Sequence, residues 1–478
     1  MIDIPRPLNH FGLCIPADDL SAIELLVLTD DECDVWKAKL STKQRQNLEL
    51  QGFFAANNSY CVLDGKKGAE SPFIIMRYSG SIVEVASKLS SDLPKGIYSL
   101  KANLDSQKLT EFTIAWAMES YNFKRSRARL GAENILIIPK GADIDFITPY
   151  LTSLFFVRDL INLSAEELNT EELGQFVQNL ATYHEAQYEE FVGAELLEND
   201  FGLVHAVGRA SAHPPRLCHL SWGIPTHPCI ALVGKGVCFD TGGLHLKPRS
   251  GMLLMKKDMG GAAIALGLAH MIISLRLPLR LELYIPIVEN AIGPEALRSL
   301  DVVKSKAGKT VEIRNTDAEG RLILADALTY ANEVRPDFVI DFATLTGAAR
   351  QAFGFEVQTF FTQNNDVAKF LIEAGDKTGD NVWQMPLHHA YRKALDTPFA
   401  DISNFAEQDT AGAITAALFL MEFVENKSNW LHLDVSGYNR QRRPARPEGG
   451  EATGMRTVFN FVQHWAKAQQ QSRSDANG

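Results

Sequence analysis

In the segment RNTDAEGRL, residues 314–322, Asp317, Glu319 and Arg321 occupy alternate positions beside an otherwise apolar stretch. In an extended chain alternate residues face the same side, so two carboxylates and a guanidinium are expected to crowd together there. Two further clusters carry related chemistry. GKGVCFDTGGLHLKP, residues 234–248, offers Lys235, Asp240 and Lys247 around Gly242 and Gly243, and MKKDMGGAA, residues 255–263, places Asp258 before a glycine pair. Four carboxylates brought together repel one another strongly unless cations separate them. Oxygen-rich sites favour hard or borderline divalent ions such as Mg²⁺, Mn²⁺ or Zn²⁺. Two such ions about 3.5–4 Å apart can activate a shared water and polarise a carbonyl or phosphoryl oxygen. A lysine binds a metal only as the neutral amine, whereas one that stays charged can stabilise an oxyanion.

Each cluster also has a plain structural reading. The glycine pair suits a tight turn, the D-x-E pattern a solvated strand edge, and Asp258 the N-terminus of a helix. The phosphate-cradle pattern G-x-x-x-x-G-K-[ST] is absent, and His388, His389 and His432 do not form H-E-x-x-H. Cys238 lacks a matched histidine pattern and reads as a packed thiol. Spacing alone reaches as far as a metal-dependent hydrolase or a phosphoryl enzyme.

The elements that must position these residues are legible in outline. At 478 residues the chain is too long for one ordinary core, and two domains are expected, 1–155 and 156–478. In the first, AIELLVL, SYCVLD and ENILIIP read as strands and LTEFTIAWAMESYNFKRS as a helix, giving a small α/β domain. A linking helix is expected over about 148–162, followed by a helix capped by Ser164 or Thr170. In the second, HPCIALVGKG, RLELYIPIVEN and RPDFVIDFATLTG read as buried strands alternating with the helices GGAAIALGLAHMIISL and LILADALTYANEV. That alternation predicts a larger α/β domain with a mainly parallel central sheet, its ligands beyond the carboxyl ends of the strands. The tail after about 467 is polar and expected to fray. Hydrophobic residues make up 46% and charged residues 22%, the balance of a globular protein. No apolar stretch reaches the ~18 residues of a membrane span, and the start MIDIPRPLNHFG carries no secretory pattern. The six cysteines lack CxxC spacing, which fits reduced thiols, and the cytoplasm is the expected compartment. A net charge of −11 argues against a nucleic-acid partner.

The three clusters resemble the signatures of the leucyl aminopeptidase family, the M17 cytosol aminopeptidases. NTDAEGRL (315–322) is the most specific of these strings, and DFATLTGA (341–348), PIVEN (286–290) and HLDVSG (432–437) extend the likeness over about residues 155–465. The resemblance places Lys235, Asp240, Asp258, Asp317 and Glu319 on metal-ligand positions for two divalent ions, Mn²⁺ or Zn²⁺ with Mg²⁺ or Co²⁺ as other occupants. It implies that Asp240 and Glu319 bridge the ions, that Asp317 completes the more exchangeable site, and that Lys235 and Asp258 complete the tighter one. Lys247 and Arg321 fall on the catalytic positions: Lys247 to polarise the scissile carbonyl, Arg321, helped by the backbone of Leu345, to hold a bicarbonate acting as general base. Met255, Thr344, Gly347 and Ala452 fall on the pocket for the N-terminal side chain, leucine-like by preference.

The resemblance further implies a fold with two α/β domains, peptide substrates with a free N-terminus, and a homohexamer built as a dimer of trimers. Three departures are visible: Ser164 stands where proline is usual, Ala210 where glycine is common, and SLDVV (299–303) replaces the usual Pro-Gly-Asp. None touches a metal-ligand position. The rival functions are a two-metal phosphoesterase, a DNA-binding or scaffolding protein, and a catalytically inactive relative. The last is opposed by the presence of all seven metal and catalytic residues.

Overall fold

The computed structural model describes residues 4, 6–17, 20–54, 59–63, 73–123, 133–407 and 410–476. By its internal contacts the chain separates into two compact units, one of residues 5–152 with 441–448, the other of residues 1–4, 153–440 and 449–478. The division falls inside the helix Ile144–Asn162, which begins earlier than its apolar spacing indicates.

The smaller unit is a six-stranded sheet with helices. Leu25 and Val27 of the central strand Ile23–Thr29 are buried, and the strand pairs in parallel with Phe73–Tyr78 and Gly96–Ala102. The strands read from AIELLVL, SYCVLD and ENILIIP form over Ile23–Thr29, Tyr60–Leu63 and Asn134–Ile137, and the expected helix over Ser106–Glu119. Asp64 and residues 124–126 of those readings lie outside the described residues.

The larger unit is built on a nine-stranded mixed sheet. Its centre runs Trp430–Asp434, Phe338–Ala343, Cys229–Gly234, Arg280–Asn290, all parallel, with Ile340 opposite both Leu431 and Leu232. Antiparallel pairs flank it: Gln358–Phe361 on one side, and Arg216–Trp222 then Gln187–Val192 on the other. The three core strands read from the sequence are present, buried along nearly their whole length. The helix Glu319–Asn332 packs its Leu322, Ile323 and Ala327 on the face that presents Ala231 and Val233. The helix Gly260–Ser274 lies against the same central strands. A Cβ on Gly261 would fall 2.2 Å from the carbonyl oxygen of Phe342, so the glycine pair lets this helix start in contact with strand backbone. Ala262 N–H donates to Lys235 O at 2.8 Å, and Lys235 N–H to Phe342 O at 3.0 Å, which fixes the first two clusters to the same strand ends.

Two local expectations are corrected. Asn169 caps the helix Thr170–Tyr183, its side chain accepting from Glu171 N and Glu172 N. Ser164 instead turns back onto Glu167. The polar tail continues the helix Met455–Ala476, whose first turns are anchored in the core through Met455, Val458 and Phe459. In SLDVV the backbone keeps the left-handed conformation natural to glycine: Leu300 has φ 68° while its side chain is largely exposed. A leucine there carries the steric cost of a Cβ at positive φ with no burial to offset it. Leu300→Gly is therefore expected to stabilise the protein by about 1 kcal/mol, read as a raised midpoint in chemical denaturation.

Candidate metal centre

The carboxyl ends of the central strands converge on one place. Lys235 follows the strand Cys229–Gly234, Asp240 ends Gly236–Asp240, Asn290 ends Arg280–Asn290, Thr344 follows Phe338–Ala343, and Asp434 ends Trp430–Asp434. Asp258 comes from the 3-10 turn Met255–Met259. Asp317 lies in the turn before the helix Glu319–Asn332, and Glu319 and Arg321 lie in that helix's first turn. RNTDAEGRL is therefore not extended across the motif: the alternate-side geometry gives way to a turn and a helix start. Arg321 points its Nη1 at Asn404 O, 2.9 Å away, while the acids meet elsewhere.

The acids and lysines interlock. Lys235 Nζ lies 2.7 Å from Asp258 Oδ2 and 2.9 Å from Glu319 Oε1, and donates to Thr344 O at 3.1 Å. Lys247 Nζ lies 2.8 Å from Asp240 Oδ2 and also contacts Asp317 Oδ1. Oxygens of Asp240, Asp317 and Glu319 all lie within 4.8 Å of one another. Glu319 Oε2 and Arg321 Nε, both buried, have no hydrogen-bond partner among the described residues.

The electrostatics record the crowding. Burial, then repulsion from Asp240, raises the Glu319 carboxyl to about 7. Burial and the neighbouring Asp258 raise Asp240 to about 6. Asp317 is raised by burial and by Glu319. Burial works against the charged form of Asp258, yet Lys235 and Lys257 outweigh it and hold the carboxyl below its ordinary range. Burial alone would lower Lys235, but Asp258, Glu319 and Asp240 hold its ammonium form above the ordinary lysine range. Lys247 is held up in the same way by Asp240, Glu319 and Asp317. For Lys257 the balance is reversed: burial, followed by the charge of Arg350, outweighs Asp258 and Asp434 and lowers it to about 7. Arg321 is lowered to about 10 by burial.

Residues outside the quoted clusters set the geometry. Asn290 donates to Asp240 Oδ1 at 2.8 Å and to Thr316 O at 3.1 Å, which ties the first cluster to the third. Asn404 accepts from Arg314 N and Asn315 N and donates to Asn315 O, clamping the turn before Asp317. Thr344 Oγ1 donates to Asp258 Oδ1 at 2.7 Å. Asp434 accepts from Leu345 N, Thr346 N and Thr346 Oγ1, so the Leu345 amide proton is already engaged. Spacing gives no hint of Asn404, which stands in DISNFAEQ. Asn290 ends a strand legible in the sequence, and Asp434 stands in the string HLDVSG.

Of the pocket residues, Met255 is buried in the Asp258 turn, and Thr344 packs between Gly260 and Gly437. Gly347 opens the helix Gly347–Phe353. Ala452 is fully buried next to Glu451, whose carboxylate is held by Arg158 and Asn439. Cys238 is a buried thiol pushed above its ordinary range by burial, in line with a packed residue.

The residues fit divalent cations: clustered oxygens, one of them without a hydrogen-bond partner among the described residues, resist full ionisation, and the charges in direct contact with them are two ammonium groups. They also fit a small anion beside the free Nε of Arg321. One glycine is critical to this packing. A Cβ on Gly320 would lie 2.4 Å from Lys235 Cε and 2.7 Å from its Nζ. Gly320→Ala is expected to push Lys235 off Asp258 and Glu319 and to weaken Mn²⁺ uptake about 10- to 100-fold, with the far-UV circular dichroism kept, as calorimetric titration would show.

Residues 155–459 match the catalytic domain of the cytosol aminopeptidase family, and residues 23–139 match the M17 aminopeptidase N-terminal domain. A Chlamydia abortus protein named as a probable cytosol aminopeptidase is 40% identical over 372 residues, 74% of either chain. The crystal structure of the cytosol aminopeptidase from Coxiella burnetii superposes with a TM-score of 0.88 at 39% identity, covering 95% of this chain and 99% of that one. The bottromycin maturation enzyme BotP in complex with Mn superposes with a TM-score of 0.82 at 28% identity, covering 94% and 100%.

Proposed function

The chain belongs to the cytosol aminopeptidase family and is a metal-dependent aminopeptidase, and from that premise we propose that it releases N-terminal residues, leucine-like ones foremost, by two-metal, bicarbonate-assisted hydrolysis. The single observation that carries this reading is the convergence of Lys235, Asp240, Asp258, Asp317 and Glu319 at the strand ends with one carboxylate oxygen left unpartnered.

Asp240 and Glu319 would be shared between two cations, Lys235 and Asp258 would complete one site, and Asp317 the other. Mn²⁺ or Zn²⁺ is the favoured occupant, with Mg²⁺ or Co²⁺ admissible by the same oxygen-rich donor set. The cations, when bound, supply Lewis acidity and lower the pKa of water. Lys235, a ligand only as the free amine, gives up its proton to the solvent as the site fills. Lys247 stays charged and donates to the carbonyl oxygen of the scissile bond as negative charge develops there. Arg321 would hold the bicarbonate through its free Nε, and the bicarbonate would supply the general base. The Leu345 amide joins it only by sharing with Asp434. Met255, Thr344, Gly347 and Ala452 form the side-chain pocket, whose apolar Met255 and Ala452 suit leucine. Residues 1–155 and 156–478 act as the accessory and catalytic domains. The working assembly is a homohexamer in the cytoplasm, a dimer of trimers admitting short or unfolded peptides. No described helix is long and apolar enough to cross a membrane.

The assay is direct. With Mn²⁺ the protein is expected to cleave leucine p-nitroanilide and to leave p-nitrophenyl phosphate intact. Chelation should abolish cleavage and Mn²⁺ restore it. Lys247→Met should lower kcat by about 100- to 1,000-fold, the usual loss on removing an oxyanion donor. Cleavage of the phosphate ester alone would favour the phosphoesterase.

A further inference from the structure

Besides Arg321 Nε, two buried cationic atoms around the carboxylate cluster have no hydrogen-bond partner among the described residues, Lys257 Nζ and Arg350 Nη1. Lys257 is only 3% exposed and sits in the 3-10 turn between Met255 and Asp258. Arg350 belongs to the helix Gly347–Phe353. Lys257 thus shares its turn with one pocket residue, and Arg350 shares its short helix with another.

The acids near Lys257 do not satisfy it. It lies within electrostatic reach of Asp258 and Asp434 as well as Arg350. Asp258 spends its oxygens on Lys235 and Thr344, and Asp434 spends its own on Leu345, Thr346 and the Thr346 hydroxyl. An ammonium cut off from water, beside a like charge and without an acceptor, is costly to keep. The cost is relieved when an anion of the right reach arrives. The bicarbonate assigned to Arg321 is a separate matter: Arg321 faces Glu319, whereas the charges on Lys257 are led by Arg350 and Asp258.

We infer that Lys257, supported by the charge of Arg350, makes the side-chain pocket a receptor for a carboxylate, so that the enzyme accepts glutamate and aspartate at the substrate N-terminus as well as leucine. This rests on the reading that Met255 and Gly347 line that pocket. Glutamate matches both features: its methylenes lie against Met255 and Ala452 as leucine's would, and its carboxylate meets Lys257. Aspartate, one methylene shorter, reaches less well. A plain leucine pocket has no use for an unpartnered ammonium.

The test uses the full-length, Mn²⁺-loaded protein and the p-nitroanilides of leucine, glutamate and aspartate, which carry no peptide C-terminal carboxylate. Wild-type kcat/KM for glutamate is expected within about tenfold of that for leucine, and Lys257→Met should lower the glutamate-to-leucine ratio by about tenfold or more, mainly through KM. Arg350→Gln should move the ratio the same way by a smaller factor, and serves if Lys257→Met does not fold by circular dichroism. A wild-type ratio below that tenfold window, or a ratio left where it was by the folded variants, overturns the inference while leaving the aminopeptidase reading intact. Failure to cleave any of the three overturns that reading and this inference together.

Discussion

Asp240, Asp258, Asp317 and Glu319 are gathered in a place largely closed to water, and carboxylates so placed hold their charge only beside positive charge. Lys235 and Lys247 are the ammonium groups in direct contact with the four acids, two charges against four. The consequences are visible as carboxyls that resist ionising and an oxygen of Glu319 with no hydrogen-bond partner among the described residues. Divalent cations remove the shortfall. The rest of the larger unit can be understood as the apparatus that keeps the acids together despite their repulsion.

That apparatus is the edge of a mostly parallel sheet. Strands buried on both faces end together, so residues far apart in sequence emerge within a few ångströms of one another. Short polar links then fix the loops: Asn290 joins Asp240 to the Thr316 turn, Asn404 clamps that turn from a distant loop, and Asp434 holds the chain leading to Gly347. Glycine is used where backbone or side chain must come close, at Gly261 under Phe342 and at Gly320 over Lys235. Rigidity of this kind suits a site whose ligands repel one another until it is filled.

Much of this was legible in the residues. The three core strands and the two helices between them announced themselves through unbroken apolar runs and helical spacing, and the acids, lysines and glycines stood out as clusters on predicted turns. Membership of a family rests on the strings around Asp240, Asp258 and Asp317–Arg321, and the family match bears it out. The misreadings were local. A D-x-E-x-R pattern suits a strand and a helix start equally, and only the packing of Leu322 and Ile323 on the sheet decides for the helix. Ser164 and Thr170 are the caps read from the sequence, and Asn169 takes the place because hydroxyl and amide compete for the same free N–H groups. Asn404 was invisible, since a single asparagine in a loop carries no periodicity. Lys257 was passed over as one of two adjacent lysines; its burial is a property of the three-dimensional arrangement alone.

The central claim is that the acids exist to hold a pair of cations. Anomalous diffraction from crystals soaked in Mn²⁺ tests it most directly. The account predicts two peaks about 3.5–4 Å apart, both within bonding distance of Asp240 and Glu319, with Lys235 Nζ turned from its ammonium contacts onto one of them. A single peak, or peaks that leave Glu319 untouched, would contradict it.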